Sequence, residues 1–337
     1  MNQVVRMIGW AGMLVWSLGV LAQDPVYSQF YMAPLQLNPA FTGSTHAPKF
    51  SMNYRNQWPS LNHAYTTYSA SYDQFFKDFN SGLGASILAD DAGNGLIKTT
   101  KISGFYAYRV QISRDFYSKF GVQASYVQSA YNWEKFIFPD QIDPVTGPIS
   151  PGGTPWPTDE TVPPDLHNQY LDVSFGLLAY TSTWYGGLSV EHINRPSQTL
   201  IAGYENNIDG LPVRISLHAG GEVGLFEHAG WLDRIYISPQ VMVSRQGPFN
   251  QLLGGAFFGF DPFFLGVWGR ITSQNPDAAI LSAGMRTGIL KLAYSYDLTV
   301  SRLGLGTGGT HEIGILLNLD KLYPEESKYM DCFQMFR

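Results

Sequence analysis

The chain has 337 residues, of which 45% are apolar and only 14% charged, with 15% aromatics, 35 Gly and 20 Pro. Soluble domains average about 25% charge, so this composition excludes a disordered chain and a coiled coil. The formal charge of −6 leaves no basic footprint and speaks against a nucleic-acid partner, and the lone cysteine, Cys332, excludes an internal disulfide or a cysteine-built zinc site.

In chain order, the N-terminus reads as an address. Arg6 is the only charge before Asp24, an apolar stretch runs from Met7 to Leu21, and the segment ends Val20-Leu21-Ala22. That is the pattern of a secretory signal peptide over residues 1–22, cut after Ala22. About 15 apolar residues fall short of the roughly 20 that a spanning helix needs. Residues 23–48 are too broken by Pro25, Pro34 and Pro39 for a helix, yet Tyr27, Phe30, Tyr31, Leu35, Leu37 and Phe41 ask for burial. Two readings compete: the segment plugs the space enclosed by the strands that follow, or it docks on a periplasmic partner. Ser28, Gln29, Phe30, Asn38 and Pro39 are the residues expected to do either, resting in the lumen or at its periplasmic mouth.

After residue 48 the chain alternates. Val213, Ile215, Leu217 and Ala219 interleave with Arg214, Ser216 and His218; Ile235, Ile237, Val241 and Val243 interleave with Tyr236, Ser238, Gln240 and Ser244. Period two marks strands with one apolar face. Fourteen are predicted, near Lys49–Trp58, Tyr65–Phe76, Ser81–Asp90, Ile97–Ile112, Phe116–Ala130, Asn168–Tyr180 and Trp184–His192, then Pro212–Leu225, Arg234–Arg245, Phe249–Phe260, Phe263–Thr272, Ala278–Thr287, Gly288–Leu298 and His311–Asp320.

Every other connection, from the second onward, is short: Lys77–Asn80, Ser113–Asp115, Thr181–Thr183, Asp261–Pro262 and Thr287-Gly288, with Phe226–Asp233 the longer exception. Tight turns on one side and longer loops on the other describe a transmembrane outer-membrane β-barrel, all-β, of about 14 antiparallel strands with both termini periplasmic. Residues 49–320 form the wall, 131–167 a long external loop rich in Pro and acids, and 321–337 a periplasmic tail. Trp58, Tyr65, Phe75, Phe76, Phe116, Tyr117, Trp184, Tyr185, Phe263 and Phe264 are expected at the interfacial girdles. A β-sandwich also alternates but explains this rhythm and girdle less well.

The chemistry-bearing residues point away from catalysis. Seven histidines form no HExxH or similar pair. His218 and Glu222 share an inward face, where polar residues are ordinary lumen lining. No GxSxG elbow is present. Asp90-Asp91-Ala-Gly-Asn-Gly lacks the spacing of a calcium hand and reads as a polar turn, and Gly304-Leu-Gly-Thr-Gly-Gly reads as a loop. No catalytic, cofactor or metal site is expected. Asp73, Arg109 and Arg286 point inward near the short-turn end, where opposite charges can pair.

The stretch Gln23-Asp-Pro-Val-Tyr-Ser-Gln-Phe-Tyr-Met-Ala-Pro-Leu-Gln-Leu-Asn-Pro-Ala-Phe-Thr-Gly43 resembles the mature start of the PorP/SprF family of the type IX secretion and gliding machinery. The likeness continues through Tyr54-Arg-Asn-Gln-Trp-Pro, Ala70-Ser-Tyr-Asp, Gly82-Leu-Gly, Asp91-Ala-Gly, Tyr294-Ser-Tyr-Asp and Gly308-Gly-Thr-His-Glu. The C-terminal Cys332-Phe-Gln-Met-Phe departs from the family's Cys-Pro-x-Phe-like end. The resemblance implies a non-enzymatic outer-membrane component in contact with lipid, periplasmic ring subunits, a peptidoglycan-binding protein, and a secreted adhesin or cargo C-terminal domain. Tyr296, Asp297, His311 and Glu312 are expected to order the last hairpin and its loop. A porin or transporter for a small solute is the alternative.

Overall fold

The computed structural model describes residues 24–61, 65–198, 210–229, 232–273, 276–301, 304–323 and 336. The signal-peptide segment, residues 1–22, lies outside them, as does most of the tail.

Fourteen strands within the described residues make the wall: β1 (Lys49–Gln57), β2 (Tyr65–Phe76), β3 (Ser81–Ala92), β4 (Ile97–Gln111), β5 (Tyr117–Tyr131), β6 (His167–Tyr180), β7 (Trp184–Glu191), β8 (Arg214–Gly221 continuing as Val223–Ala229), β9 (Leu232–Gln246), β10 (Phe249–Phe260), β11 (Phe263–Thr272), β12 (Pro276–Thr287), β13 (Leu290–Thr299) and β14 (Thr310–Asn318). Both segments of β8 pair with β9; the strand is interrupted only at Glu222, whose N–H turns aside to the Thr183 carbonyl at 2.9 Å. Each strand runs antiparallel to its sequence neighbours, and β14 pairs back onto β1, from Gln57 opposite Thr310 to Lys49 opposite Asn318. Closure leaves no unpaired edge, which is the condition for a sheet in hydrocarbon. No described helix is long and apolar enough to cross a membrane.

The alternation resolves as the pleat requires. In β4, Ile102 is 54% exposed on the outside beside Ile87 and Tyr126, whereas the next residue, Ser103, is 3% exposed inside beside Ser86 and Ser125. Polar residues line the lumen on strand after strand: Ser51, Ser69, Ser216, Ser238, Gln240 and Ser295 are all buried. The same period splits the aromatic pairs expected at the girdles. Phe76, Phe116, Trp184 and Phe263 face outward, while their neighbours Phe75, Tyr185 and Phe264 are buried inside and Tyr117 is half-buried. Adjacent residues on a strand point to opposite faces, so each pair supplies one girdle ring and one lumen ring.

The Phe226–Asp233 connection is mostly strand, since β8 runs to Ala229 and β9 begins at Leu232, and the exception to the short-turn rhythm disappears. Asp91 accepts the Gly95 N–H, and Gly93, Asn94 and Gly95 all have positive φ, giving a tight polar turn. Residues 132–166 fold on themselves: Asp140 accepts from Thr158 Oγ1 (2.9 Å) and the Asp159 N–H (2.8 Å), and Trp133, Phe136 and Phe138 pack together.

Charge on the outer face should be costly and charge-free change inside cheap. Ile102→Arg, near mid-strand, should lower stability by about 2–4 kcal/mol. Ser103→Ala, which removes two neutral hydrogen bonds, with Ser125 and Gln123, should cost about 1–2 kcal/mol. Denaturant titration of the barrel refolded into lipid vesicles measures both.

Candidate functional site

Residues 24–47 run through the inside of the barrel. Asp24 sits beside His192 at the long-loop mouth, and Ala47 bonds Asp320 at the short-turn mouth, where β1 starts and β14 ends. The two ends of the wall therefore share the short-turn side. The segment carries Asp24 back through the lumen to the opposite mouth.

Its local conformation follows from its prolines. Pro34 occupies the first position of a single helical turn, α1 (Pro34–Leu37), where its missing N–H costs nothing. One α turn therefore forms where no helix was expected. Pro39 opens a 3₁₀ turn, Pro39–Phe41, capped by Asn38, whose Oδ1 accepts the Ala40 N–H at 2.8 Å.

Three moorings hold the segment. At the long-loop end, Glu312 accepts the backbone N–H groups of Ser28 and Gln29, each at 2.8 Å, and Ser28 Oγ donates to Asp297 at 2.6 Å. Gln29 Nε2 reaches Ser295 and the Glu312 carbonyl, both at 3.0 Å. The two carboxylates are balanced by Arg55, which pairs with Glu312, and by Arg270, whose Nη1 lies 2.9 Å from Asp297. Buried charge is tolerable only when paired and hydrogen-bonded, and here each carboxylate also takes a bond from the segment.

In the middle, Phe30 and Tyr31 enter an aromatic cluster. Tyr31 is edge-on to Phe257 at 4.5 Å and parallel to Trp268 at 6.3 Å, and Phe30 is edge-on to Trp268 at 5.6 Å. At the short-turn end, Lys119 Nζ donates to the Thr42 and Gly43 carbonyls (2.6 and 3.0 Å), and the Gly43 N–H donates to Asp73 (2.8 Å). Gly43 has φ +64°, in the left-handed region that favours glycine. Asn38 Nδ2 meets the Leu177 and Leu188 carbonyls and His218 Nε2 at 3.0–3.1 Å.

The wall is cut to this shape. A Cβ on Gly121 would stand 2.3 Å from Ala40 N, and one on Gly176 would stand 2.0 Å from Asn38 Oδ1. No side chain fits at either position while the turn is seated.

The residues singled out from the sequence are thus brought together in part. Ser28, Gln29, Phe30, Asn38 and Pro39 all lie buried in the lumen, and Asp297 and Glu312 meet the first two of them there instead of reaching a loop. Tyr296 and His311 pack against each other on the last hairpin, ring centroids 5.1 Å apart, and His311 Nδ1 meets Tyr294 Oη. Asp73, Arg109 and Arg286 do not pair with one another, since they stand on β2, β4 and β12. Asp73 pairs with Lys49 at 3.3 Å, Arg286 with Asp261 at 3.2 Å, and the Arg109 guanidinium lies over Phe75. His218 bonds Asn38, while Glu222 bonds Arg234. Sequence reasoning missed Arg55, Arg270 and Lys119. Each sits in phase with the polar, inward positions of its strand, and that phase was the signal available.

His192, just past β7, closes the long-loop mouth. Its Nδ1 lies 3.0 Å from Asp172 and its Nε2 2.6 Å from Asp24, which also accepts from Gln246. Burial by itself would lower the His192 pKa, but the bonds to Asp172 and Asp24 outweigh it and raise it to about 9. Burial would likewise raise the Asp24 carboxyl, yet the His192 bond holds it well below the usual range. Asp24, Glu191 and His192 also present ligand atoms within 4.8 Å of one another, a spacing a metal ion can use. With both ring nitrogens on carboxylates, however, the imidazole is satisfied as a doubly donating cation and not as a ligand.

Fold and site together define a closed transmembrane β-barrel whose lumen is plugged by its own N-terminal segment. Residues 20–316 match the family described as type IX secretion system membrane protein PorP/SprF, and the chain belongs to that family. It is an outer-membrane protein of the type IX secretion system. No curated protein matches the sequence. Among solved structures, the protein is similar to the Ralstonia pickettii toluene transporter TbuX (10% identity, TM-score 0.47, covering 85% of this chain and 92% of that one). It is also similar to a Pseudomonas aeruginosa FadL homologue (10% identity, TM-score 0.38, 80% and 90% covered) and to BamA from Haemophilus ducreyi lacking POTRA domains 1–3 (10% identity, TM-score 0.36, 81% and 70% covered). Similarity this low fixes neither activity nor ligand.

Two measurements probe the plug. Gly121→Val should force the Pro39–Phe41 turn off the wall at a cost of about 1–3 kcal/mol, exposing residues 24–47 to protease. Gly104→Val, where an added Cβ meets nothing within 4 Å, should keep wild-type protection. The His192 clamp has its folded pKa raised from 6.5 to about 9, so its contribution is fully present below pH 6.5 and lost as pH rises through about 9. Hydrogen exchange at the Ser28 and Gln29 amides should therefore accelerate, beyond the intrinsic base-catalysed rate, between pH 8 and 10. His192→Gln should remove that step.

Proposed function

We propose that this barrel is a structural and docking subunit of type IX secretion, presenting surfaces at both mouths and catalysing no reaction. The supporting observation is the filled lumen: residues 24–47 thread it from mouth to mouth and are moored to wall charges at both ends. A passage for solute needs a lumen that water and solute can cross, and this one is taken up by the protein's own N-terminal segment. A barrel that carries nothing through it works through its rims. On this reading the rim of longer loops, with the self-folded segment 132–166, faces the cell exterior and meets a secreted adhesin or the C-terminal domain of a cargo. The short-turn rim and the tail face periplasmic ring subunits and a peptidoglycan-binding protein.

The absence of catalysis is supported by the uses of the inward polar groups. His218 serves Asn38, Glu222 serves Arg234, and Asp297 and Glu312 serve Ser28, Gln29 and two arginines.

Affinity capture from native outer membranes, read by mass spectrometry, should recover periplasmic ring subunits or a large surface protein. The purified barrel in a planar bilayer should pass no steady current. A steady, solute-permeable conductance from the pure protein, without co-purifying secretion components, would overturn the docking reading in favour of a small-solute porin.

A further inference from the structure

Among the described residues, one lumen ring belongs neither to the N-terminal segment nor to the wall. Phe336, the penultimate residue, is fully buried, its ring 4.5 Å from Phe41 and tilted only 27° from it, and 5.3 Å edge-on to Tyr185. Phe41 in turn lies over His218 at 5.5 Å and meets Tyr185 at 6.0 Å. Beneath them the wall has been cleared: a Cβ on Gly187 would stand 2.4 Å from the His218 ring, and one on Gly220 would stand 2.8 Å from Tyr185 Oη. The site is therefore a built aromatic box, with Tyr185 from β7 and His218 from β8 as walls and Phe41 as lid.

The route of the backbone makes this arrangement consequential. β14 ends at Asn318, and Leu319–Leu322 pass the short-turn mouth, held there by Asp320 accepting the Ala47 N–H. Phe336 then stacks on the last residue of the 3₁₀ turn that Gly121 and Gly176 accommodate. Stacked and edge-on aromatic pairs contribute beyond their buried area, and removing one ring from a fully buried box leaves a cavity against Phe41.

From this juxtaposition we infer that the box is a binding site for an aromatic side chain, filled in cis by Phe336, and that this ring locks the N-terminal plug in place. The inference does not depend on the docking reading; it requires only the closed barrel and its plug. The lock bears on the 3₁₀ turn of a segment whose other end is clamped at the long-loop mouth, so loss of Phe336 loosens the turn and leaves that clamp in place.

The reporters are the turn's own amides. Phe41 N donates to the Asn38 carbonyl, Thr42 N to the Pro39 carbonyl, and Gly43 N to Asp73. In the full-length barrel in detergent, Phe336→Ala should speed hydrogen exchange at these three amides by tenfold or more. Phe336→Tyr should preserve protection, and the amides of Ser28 and Gln29 should be unchanged in both variants. A synthetic peptide of residues 324–337, added in excess to the Phe336→Ala protein, should restore protection, and the same peptide with alanine at position 336 should not. Unchanged exchange in Phe336→Ala, or equal rescue by the alanine peptide, would overturn the inference. So would exchange that rises uniformly over residues 24–47, which would mark a general loss of packing. Because Phe336 lies beyond the last strand, wall formation in the variant is checked separately by the strand amides, whose protection should match wild type.

Discussion

Everything in this molecule depends on the pairing of backbone amides where no water is available to pair them. In hydrocarbon an unpaired N–H or C=O costs several kcal/mol, so a strand-built span must have no edge. The pairing of β14 with β1 meets that demand and, in doing so, creates an interior. Eight strands make a barrel that wall side chains can fill by themselves. Fourteen enclose more room than the wall can occupy, and the protein fills it with its own N-terminal segment.

The lining shows how that filling is stabilised. The lumen meets the segment with charge, hydroxyl and aromatic groups in separate zones, filled in between by aliphatic side chains such as Leu178, Leu253 and Leu316. Near the long-loop mouth, Arg55, Arg270, Asp297 and Glu312 neutralise one another and still offer acceptors to Ser28 and Gln29. Halfway down, Phe257, Phe264 and Trp268 receive Phe30 and Tyr31. Near the short-turn mouth, Lys119 and Asp73 take the carbonyls and amide of the Thr42–Gly43 corner. The charged groups do double duty, pairing across the wall and anchoring the plug, so neither wall nor plug is satisfied without the other.

A plug moored at both mouths also makes wall and filling a single mechanical unit. Covalent continuity with β1 fixes one end, and the His192 clamp between Asp24 and Asp172 fixes the other. Such a body offers two rims joined by a shaft that the chain's own segment occupies, the geometry on which the docking proposal rests.

The wall was legible in the sequence because strand period and lipid exposure act locally. Ile102 and Ser103 declare their faces through their own chemistry, and turn residues such as Asp261-Pro262 declare the reversals. The count of strands, the closed barrel and the inward phase of His218 follow from that. The N-terminal segment was legible as something needing burial, from its aromatic content, but its path was not. The order of Ser28, Phe30 and Phe41 along the lumen is set by Glu312, Trp268 and Gly121, which lie far away in sequence on β14, β11 and β5. The pairing of Asp73 with Lys49 and the seat of Phe336 were likewise decided only by tertiary structure. Local alternation fixes which way a side chain points; only ring closure fixes what it meets there.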